Sequence, residues 1–202
     1  MLRKTIIILF FILPIAVIAV LAISKSDVSQ NSTAPSKITV ENFTLTDIYK
    51  KKHSLSDYDN SKAIVIIFIA TQCPVSNAYN SRMAALHKKY GDKNIAILGI
   101  NSNKEEDLNE CKSHAEKNGF KFHVLKDEKN VIADMFEAGV TPEVYVLQPK
   151  TYKVLYHGRI DDSRDKDNVE AKDLENALDE ILAGKKVSIT QTKAFGCTIK
   201  RI

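Results

Sequence analysis

The sequence predicts an α/β fold in which a mixed parallel and antiparallel sheet is flanked by helices, and two observations support this prediction. The first is a pair of continuous apolar runs rich in β-branched residues, 63–69 and 94–100, which are typical of central strands buried on both faces. The second is the helical spacing of apolar residues between these runs and after them. Strands that alternate with helices along a chain indicate one sheet covered by helices.

Two short segments before the first central strand alternate in the manner of strands. Phe43–Asp47 and His53–Asp57 flank a polar turn at Lys50–Lys52, and we expect them to form an N-terminal β extension. Residues 74–90 follow the first central strand and are predicted to be helical. The expected buried side of this helix consists of Ala78, Met83, Leu86 and Tyr90.

The second half of the domain continues the alternation, with glycines or polar caps at the expected helix ends. The predicted elements after residue 100 are a helix over 104–118 that ends at Gly119, a strand over 120–125, a helix capped by Asn130 and stopped at Gly139, a hairpin of Val144–Leu147 with Lys153–His157, and a last helix that closes at Gly184. The last helix has one apolar face, formed by Leu174, Leu178, Ile181 and Leu182.

The first 24 residues are predicted to be a signal-anchor or transmembrane segment. Arg3 and Lys4 precede an uncharged, mainly apolar run of 19 residues, Thr5–Ile23, which approaches the roughly 20 residues that span a bilayer. A retained anchor is the preferred interpretation, and cleavage at Ala22-Ile23-Ser24 followed by secretion is the alternative. The basic end stays on the cytoplasmic side in both cases, so the rest of the chain is predicted to be extracytoplasmic.

The remaining chain divides into a tether and one domain. Residues 25–38 are polar and lack an apolar period, as in a flexible linker, and residues 39–202 suit a single domain with a sizeable core. Without Arg3 and Lys4 the chain carries 27 Lys and Arg against 25 Asp and Glu, which gives no support to a nucleic-acid partner. No cofactor or metal is predicted, because no metal-ligand spacing connects the five histidines His53, His87, His114, His123 and His157.

Three cysteines are a low, odd number for an exported domain, so at least one is a candidate working thiol. Cys73 lies where the first central strand ends and a helix begins, and helix N–H groups favour a thiolate there. Pro74 suits the first helical position, which needs no donor. Cys111 shares a helical face with apolar residues, so a buried core position is preferred over a redox role.

Two junctions resemble the thioredoxin superfamily. Phe68-x-Ala70-x-x-Cys73 resembles the approach to a thioredoxin active site, with Cys73 in the place of the nucleophilic cysteine. The segment Gly139–Leu147 resembles the part of that fold that carries a cis-proline beside the active cysteine. The resemblance therefore implies a cis Thr141–Pro142 bond, and the alternative is a trans proline that starts an edge strand.

A closer resemblance covers nearly all of residues 40–202. Four motifs occur in the order found in peroxiredoxin-like redoxins of the alkyl hydroperoxide reductase/thiol-specific antioxidant (AhpC/TSA) family: Cys73–Tyr79, Thr141–Leu147, Gly158–Asp162 and Gly196–Lys200. Membership implies a thioredoxin-like fold and an antioxidant-type thiol oxidoreductase that acts through Cys73. The implied partners are protein thiols or disulfides, or a peroxide, together with a reductant that the sequence does not identify.

Three departures from the related patterns affect the chemistry. Ser76 stands where a dithiol thioredoxin has its second cysteine. Ala70 stands where typical peroxiredoxins have a peroxide-orienting threonine, and Thr71, one residue nearer, is the candidate substitute. Asn77 stands where copper chaperones of this fold have the second cysteine of a Cys-x3-Cys pair, so copper delivery is the least favoured interpretation.

Other site candidates follow from the need to resolve the intermediate on Cys73. Cys197, next to Gly196 in a tail, is the better resolving candidate, and a packed or intermolecular cysteine is the alternative. Glu143 is either an acid/base group near Cys73 or a solvated residue at a strand start. Arg159 either supplies positive charge near the thiolate or forms a surface ion pair with Asp161 or Asp162.

Two classes of function remain open from the sequence. The first is an enzyme that exchanges thiols and disulfides or reduces peroxide through Cys73. The second is a redoxin-fold binding protein that holds a cysteine-bearing or unfolded partner without catalysis. Ser76 favours the second class, and the intact Cys73-Pro74 pair at the helix start favours the first, which we prefer.

Overall fold

The computed structural model describes residues 38–202 of the 202-residue chain. The predicted anchor at 1–24 and the tether, apart from its last residue, lie outside the described residues. Within 38–202, no helix is both long enough and apolar enough to cross a membrane. A seven-stranded mixed sheet covered by helices occupies this part of the chain, which confirms the predicted fold class.

The helices and strands of the described residues are short and separated by brief loops. The strands are β1 (Thr44–Asp47), β2 (Lys52–Ser54), β3 (Ala63–Phe68), β4 (Ile95–Asn101), β5 (His123–Lys126), β6 (Val140–Thr141), β7 (Glu143–Leu147), β8 (Val154–Gly158) and β9 (Cys197–Thr198). The helices are α1 (Pro74–Ala78), α2 (Asn80–Tyr90), α3 (Leu108–Lys117), α4 (Val131–Met135) and α5 (Asp173–Leu182). Three 3-10 turns lie at Leu55–Tyr58, Gly91–Lys93 and Lys166–Asn168.

The main sheet has the strand order β2-β1-β5-β4-β3-β7-β8. Strand β4 pairs parallel with β3 and β5, and β7 pairs antiparallel with β3. All of β3 is buried, as its continuous apolar run predicts. Its side chains alternate between two cores. Val65 and Ile67 lie in the core that contains residues of α2, α3 and α5. Ile64, Ile66 and Phe68 lie in the core that contains residues of α4 and of the segment before β1.

The predicted helix over 74–90 is two helices, because the chain breaks at Tyr79. The Tyr79 N–H donates to the Ser76 carbonyl in a tight 3-10 bond, which ends α1 and rotates the following turn. As a result Tyr79 is buried and Ala78 is exposed, so the prediction of Ala78 on the buried face is wrong. Met83, Leu86 and Tyr90 are buried as predicted.

Several other boundaries differ from the expectation for local reasons. The predicted strand His53–Asp57 leaves the sheet after Ser54, whose backbone N–H donates to the Asp57 carboxylate and starts a 3-10 turn. Helix α3 begins only at Leu108, because the Asp107 carboxylate accepts the Glu110 N–H and caps it. The helix stops at Gly119 and Gly184 are confirmed, with φ of 67° and 69°.

Asn130 stands at the predicted N-cap position of α4, but its side chain does not cap the helix. Asn130 has a left-handed backbone, and its side chain makes no capping bond to the helix. The buried Asp127 carboxylate instead accepts the N–H groups of Ile132 and Ala133, at 3.1 and 3.0 Å. The Asn130 side-chain amide donates to the Ser102 carbonyl, and its oxygen accepts the Ile202 N–H at 3.0 Å. Asn130 therefore anchors the end of the chain.

Candidate active site

Cys73 lies between the end of β3 and the start of α1, as the sequence predicts. It is the residue that caps α1, and its Sγ accepts the backbone N–H of Ser76 at 3.2 Å. Pro74 occupies the first helical position, where its missing donor costs nothing. Only 5% of Cys73 is exposed. A thiolate formed here would keep the Ser76 N–H as a hydrogen-bond donor, which favours the ionised sulfur.

The peptide bond between Thr141 and Pro142 is cis, which is the conformation expected from the sequence. It places the Thr141 carbonyl oxygen 3.4 Å from Sγ of Cys73. The two residues are 68 positions apart in the chain. The loop before α1 and the segment before β7 thus form the two sides of one site.

Cys197 completes this site, because it forms a disulfide with Cys73 across a Cα–Cα distance of 5.8 Å. The sequence left open whether the tail reaches Cys73. The tail does so as strand β9, which pairs antiparallel with β6 and aligns Thr141 with Cys197 and Val140 with Thr198. Cys73 is buried and Cys197 is partly exposed, so Cys197 is the more accessible half of the bond.

The residues that flank Cys197 fit this position closely. A Cβ atom on Gly196 would lie 2.6 Å from the Thr141 carbonyl carbon and closer still to its oxygen, so only glycine allows the two backbones to approach. On the other side, Ile199 is 3% exposed and packs into the core beneath α4. Its N–H donates to the Gly139 carbonyl at 3.0 Å. The tail is therefore packed against the domain on both sides of the disulfide.

The last residues of the chain are held by further polar contacts. Lys200 is bound through its backbone, since its N–H donates to Asn103 Oδ1 at 2.9 Å and its carbonyl accepts the Lys104 N–H at 3.0 Å. Arg201 pairs with Asp134 at 2.8 Å and donates to the Ala138 carbonyl. These contacts involve neither sulfur atom, so they attach the tail to the domain in addition to the disulfide.

Glu106 is a site residue that the sequence analysis missed. Its carboxylate is buried and accepts the backbone N–H groups of Thr71 at 2.8 Å and Gln72 at 3.1 Å, as well as the Asn101 amide. It therefore fixes the loop that leads into Cys73. An acidic residue beside Glu105 is more often solvated, so no local signal marks Glu106 as buried.

A buried lysine supports the same region from the sheet. The Lys126 ammonium group donates to Asn101 Oδ1 at 2.9 Å and to the Asn103 carbonyl at 2.6 Å. Asn101 also donates to Glu106, and Asn103 accepts the N–H of Lys200. One polar network therefore connects the Cys73 loop with the C-terminal tail.

The hydroxyl groups of Thr71 and Ser76, the two polar side chains near Cys73 in the sequence, both make hydrogen bonds within the domain. The Thr71 hydroxyl donates to the Glu110 carboxylate, which turns it towards α3. Ser76 is fully buried, and its hydroxyl accepts the Ala70 N–H at 3.2 Å. The position of the missing second thiol is thus occupied by a group that closes the loop over 70–76.

Glu143 is buried, so the interpretation of a solvated strand start is wrong. Its carboxylate accepts the N–H groups of Gly139 at 2.8 Å and Val140 at 3.1 Å, and it also bonds to His157 Nε2 at 2.6 Å and the Tyr145 hydroxyl at 3.0 Å. Burial raises the pKa of Glu143, but the bonds from His157, Gly139 and Val140 outweigh it and hold the pKa below its usual range. The carboxylate braces the turn before the cis-proline.

Arg159 has a different partner from the two that were expected. Its Nε donates to the buried Asp173 carboxylate at 2.6 Å, whereas Asp161 pairs with Arg82 at 2.7 Å. Arg159 therefore fastens β8 to the start of α5. Among the hydrogen bonds and ion pairs of the described residues, none connects Arg159 with Cys73.

Cys111 is a free, buried thiol in α3 and is 2% exposed. Burial raises its pKa to about 12, so it is protonated at neutral pH. Its position in the core that contains Val65 and Ile67 agrees with the preferred interpretation from the sequence. Cys73 and Cys197 are joined by the disulfide, whereas Cys111 has no sulfur partner.

A cavity of about 200 Å³ opens beside the disulfide. Cys73, Cys197 and Thr141 form one side of it, and Asn103 and Glu106 form the other. A larger cavity of about 820 Å³ lies elsewhere, between α2 and the sheet. The smaller cavity is the one next to the sulfur atoms, so it is the candidate substrate space.

The AhpC/TSA family model matches residues 38–162, which is more than half of the chain. The thiol-disulfide oxidoreductase ResA of Geobacillus kaustophilus is 27% identical over 123 residues, which are 61% of this chain and 66% of that protein. The chain thus spans just under two thirds of the length of this curated relative.

Two solved structures resemble the whole described domain. A hypothetical protein from Sinorhizobium meliloti superposes with a TM-score of 0.76 at 28% identity and covers 85% of this chain and 97% of its own. An uncharacterized conserved protein from Geobacillus kaustophilus superposes with a TM-score of 0.76 at 30% identity and covers 84% and 93%. Together with the AhpC/TSA family match, these superpositions confirm the predicted thioredoxin-like fold.

Proposed function

Because the chain belongs to the AhpC/TSA family, we propose that it is a thiol-disulfide oxidoreductase in which Cys73 is the nucleophile and Cys197 resolves the intermediate. The observation that carries this proposal is the disulfide between them, which lies against the cis-proline segment. The similarity to ResA supports the same class of reaction.

The forward reaction begins with both cysteines reduced. The Cys73 thiolate attacks one sulfur of a substrate disulfide, forms a mixed disulfide and releases the other substrate sulfur as a thiolate. The Cys197 thiolate then attacks Sγ of Cys73 and releases the second substrate thiolate. Two electrons have passed to the substrate, and the chain carries the Cys73–Cys197 disulfide. A dithiol reductant returns the two electrons.

The different burial of the two cysteine residues favours one route for the return of the electrons. The reductant thiolate attacks the partly exposed Cys197, and buried Cys73 leaves as a thiolate. The Ser76 N–H bonds to that sulfur and stabilises it, and a thiolate of lower pKa is the better leaving group. The second reductant thiol then attacks the mixed disulfide on Cys197 and releases its thiolate.

Disulfide exchange is favoured over peroxide reduction by the surroundings of Cys73. A peroxidatic cysteine needs a nearby hydroxyl donor that orients the peroxide. Here Ala70 offers none, and the Thr71 hydroxyl is directed to Glu110. We therefore expect the reduced chain to react with hydrogen peroxide at a rate close to that of free cysteine.

We further propose that the domain works on the outer side of a membrane. The support is the apolar run after Arg3 and Lys4, together with a disulfide of the kind that persists in oxidising compartments. Extraction of membranes with carbonate at high pH tests the anchor: a retained anchor keeps the chain in the pellet, and a cleaved signal releases it.

The experiment that tests the reaction follows reduction of a disulfide substrate by the full chain in the presence of a dithiol. We expect turnover by the wild type and by Cys111→Ala, none by Cys73→Ser, and a trapped mixed disulfide on Cys73 in Cys197→Ser. If Cys73→Ser keeps the activity, the proposed reaction is wrong. If no variant turns over while a cysteine-bearing partner still binds to Cys73→Ser, the chain is a binding protein.

Peroxide is tested in parallel with the same set of variants. A reaction of Cys73 with hydrogen peroxide several orders of magnitude faster than that of free cysteine would identify a peroxidase instead. Peptide mapping of the oxidised product then distinguishes a Cys73–Cys197 disulfide from a sulfinic acid on Cys73.

A further inference from the structure

Three metal-ligating side chains meet at the β extension, although the sequence separates them by up to 76 positions. Asp47 ends β1, His53 lies in β2, and His123 starts β5. Strand β1 pairs with both β2 and β5, so it brings the three residues together near one edge of the sheet. His53 Nε2 lies 2.9 Å and His123 Nδ1 lies 3.8 Å from Asp47 Oδ2.

Neighbouring groups orient two of these side chains towards the common point. The Tyr58 hydroxyl lies 2.9 Å from His53 Nδ1, which leaves Nε2 directed at Asp47. The other Asp47 oxygen, Oδ1, accepts the N–H groups of Tyr49 and Lys51, each at 2.8 Å. Each of the three residues therefore offers one ligand atom, and outer hydrogen bonds of this kind are what orient ligands in protein metal sites.

The cluster is buried on one side and open on the other. Asp47 and His53 are 2% and 4% exposed, whereas 46% of the His123 side chain is exposed. His123 borders the cavity of about 820 Å³, which also reaches Tyr58 and His87. A cation can enter from this side, and water can fill the positions that the protein does not supply.

We propose that Asp47, His53 and His123 form a binding site for a late first-row divalent cation, with Zn²⁺ as the representative. Two imidazole nitrogens and one carboxylate oxygen are a ligand set that this class of cation takes, with further positions left to solvent. Ligand atoms at about 2.0–2.2 Å from such a cation lie roughly 3.0–3.5 Å apart. The observed separations of 2.9 and 3.8 Å bracket this range, so a small movement of the exposed His123 closes the site.

Binding of a cation fixes which nitrogen of His53 carries the proton. In the site with metal bound, Nδ1–H donates to the Tyr58 oxygen and the Nε2 lone pair faces the cation. The cation then replaces the contact between His53 and Asp47. The hydrogen bond between His53 and Tyr58 is kept.

This site is separate from the redox cysteines. Strands β3 and β5 both run parallel to β4. Cys73 follows the carboxyl end of β3, whereas His123 lies two strands away on β5, level with Ile66 of β3. None of Asp47, His53 and His123 lines the cavity beside the disulfide. Metal binding can therefore be measured with the disulfide closed, when Cys73 and Cys197 cannot act as ligands.

The test is a calorimetric titration of the oxidised, tag-free full chain with Zn²⁺, with the visible spectrum of added Co²⁺ as a second readout. We expect one equivalent of saturable binding and at least a tenfold loss of affinity in His123→Ala. His114→Ala is the matched control and is expected to bind as the wild type does. His114 lies in α3 and bonds to Asn77, away from the cluster.

The variant His123→Ala decides the outcome, because the removed side chain is 46% exposed and lies outside the two cores. Circular dichroism checks that the variant folds. Asp47→Asn is a second variant that keeps the shape of the side chain. Absence of saturable binding to the wild type overturns the proposal. Wild-type affinity in His123→Ala overturns it equally, since the cation would then lie elsewhere in the chain.

Discussion

Gly196 lies against Thr141 so closely that a Cβ atom would fall 2.6 Å from the Thr141 carbonyl carbon. The contact sets the register in which β9 pairs with β6, with Cys197 opposite Thr141. A substitution at Gly196 is therefore expected to change the position of Cys197 relative to Cys73 without replacing either cysteine.

Replacing Gly196 with alanine is expected to push β9 away from β6. We expect Gly196→Ala to lower the free energy of unfolding by about 1–3 kcal/mol, as overpacking does, and to make the Cys73–Cys197 disulfide easier to reduce. Equilibration with a glutathione redox buffer measures the second effect. Gly139→Ala is the control, because a Cβ there meets nothing within 4 Å. Equal redox behaviour of the two variants would show that the close approach does not govern the disulfide.

The buried carboxylate of Glu106 is expected to position the loop before Cys73. In Glu106→Gln one carboxylate oxygen becomes an NH₂ group, which cannot accept a hydrogen bond, so either the Thr71 N–H or the Gln72 N–H loses its acceptor. We expect a loss of about 1–3 kcal/mol in the free energy of unfolding and a slower reaction of reduced Cys73 with a disulfide probe.

The neighbouring residue supplies the control for this prediction. Glu105 is exposed and pairs with Lys200 at the surface, at 3.1 Å. Glu105→Gln is expected to leave both the stability and the Cys73 reaction close to those of the wild type. If the two variants behave alike, burial of Glu106 has no bearing on the site.

The lowered pKa of Glu143 predicts a dependence of stability on acid. Its folded pKa lies below the ordinary value of 4.5, so the unfolded chain takes up the proton first as the pH falls. The stabilisation is therefore fully present above pH 4.5 and is lost as the pH falls through the folded pKa. Urea unfolding at several pH values measures it.

The variant Glu143→Gln isolates this contribution. We expect it to be less stable than the wild type by about 1–3 kcal/mol at pH 7, and the difference to shrink towards acid. Glu137→Gln, at an exposed position, should follow the wild-type profile. A difference between wild type and Glu143→Gln that stays constant down to acid pH would contradict the prediction.

Cys111 is expected to resist alkylation in the folded, reduced chain. Its pKa of about 12 and its burial leave almost no reactive thiolate at pH 8. Mass spectrometry after treatment with iodoacetamide should find Cys73 and Cys197 modified and Cys111 unmodified. Denaturation in urea should bring Cys111 to the rate of free cysteine. Rapid modification in the folded chain would mean that the α3 core opens readily.

Much of the fold could be predicted because it follows from local patterns. The continuous apolar run of β3 indicates burial on both faces, and the structure places β3 in the interior of the sheet, between β4 and β7. Cys73 with Pro74 marks the start of α1, and Thr141-Pro142 has the predicted cis bond. The helical periodicity gave a wrong prediction at Tyr79, where a 3-10 hydrogen bond ends α1 and changes which residues of the segment 74–90 are buried.

The sequence by itself determined the strand and helix order, the position of Cys73 and the family resemblance, because these depend on residues close together in the chain. Only the tertiary structure decided the pairing of Cys73 with Cys197, 124 positions apart, the burial of Glu106 and the meeting of His53 with His123. Each of these contacts joins distant segments. Such contacts are determined by the register between strands and by the packing of the two cores. The spacing of neighbouring residues in the sequence specifies neither.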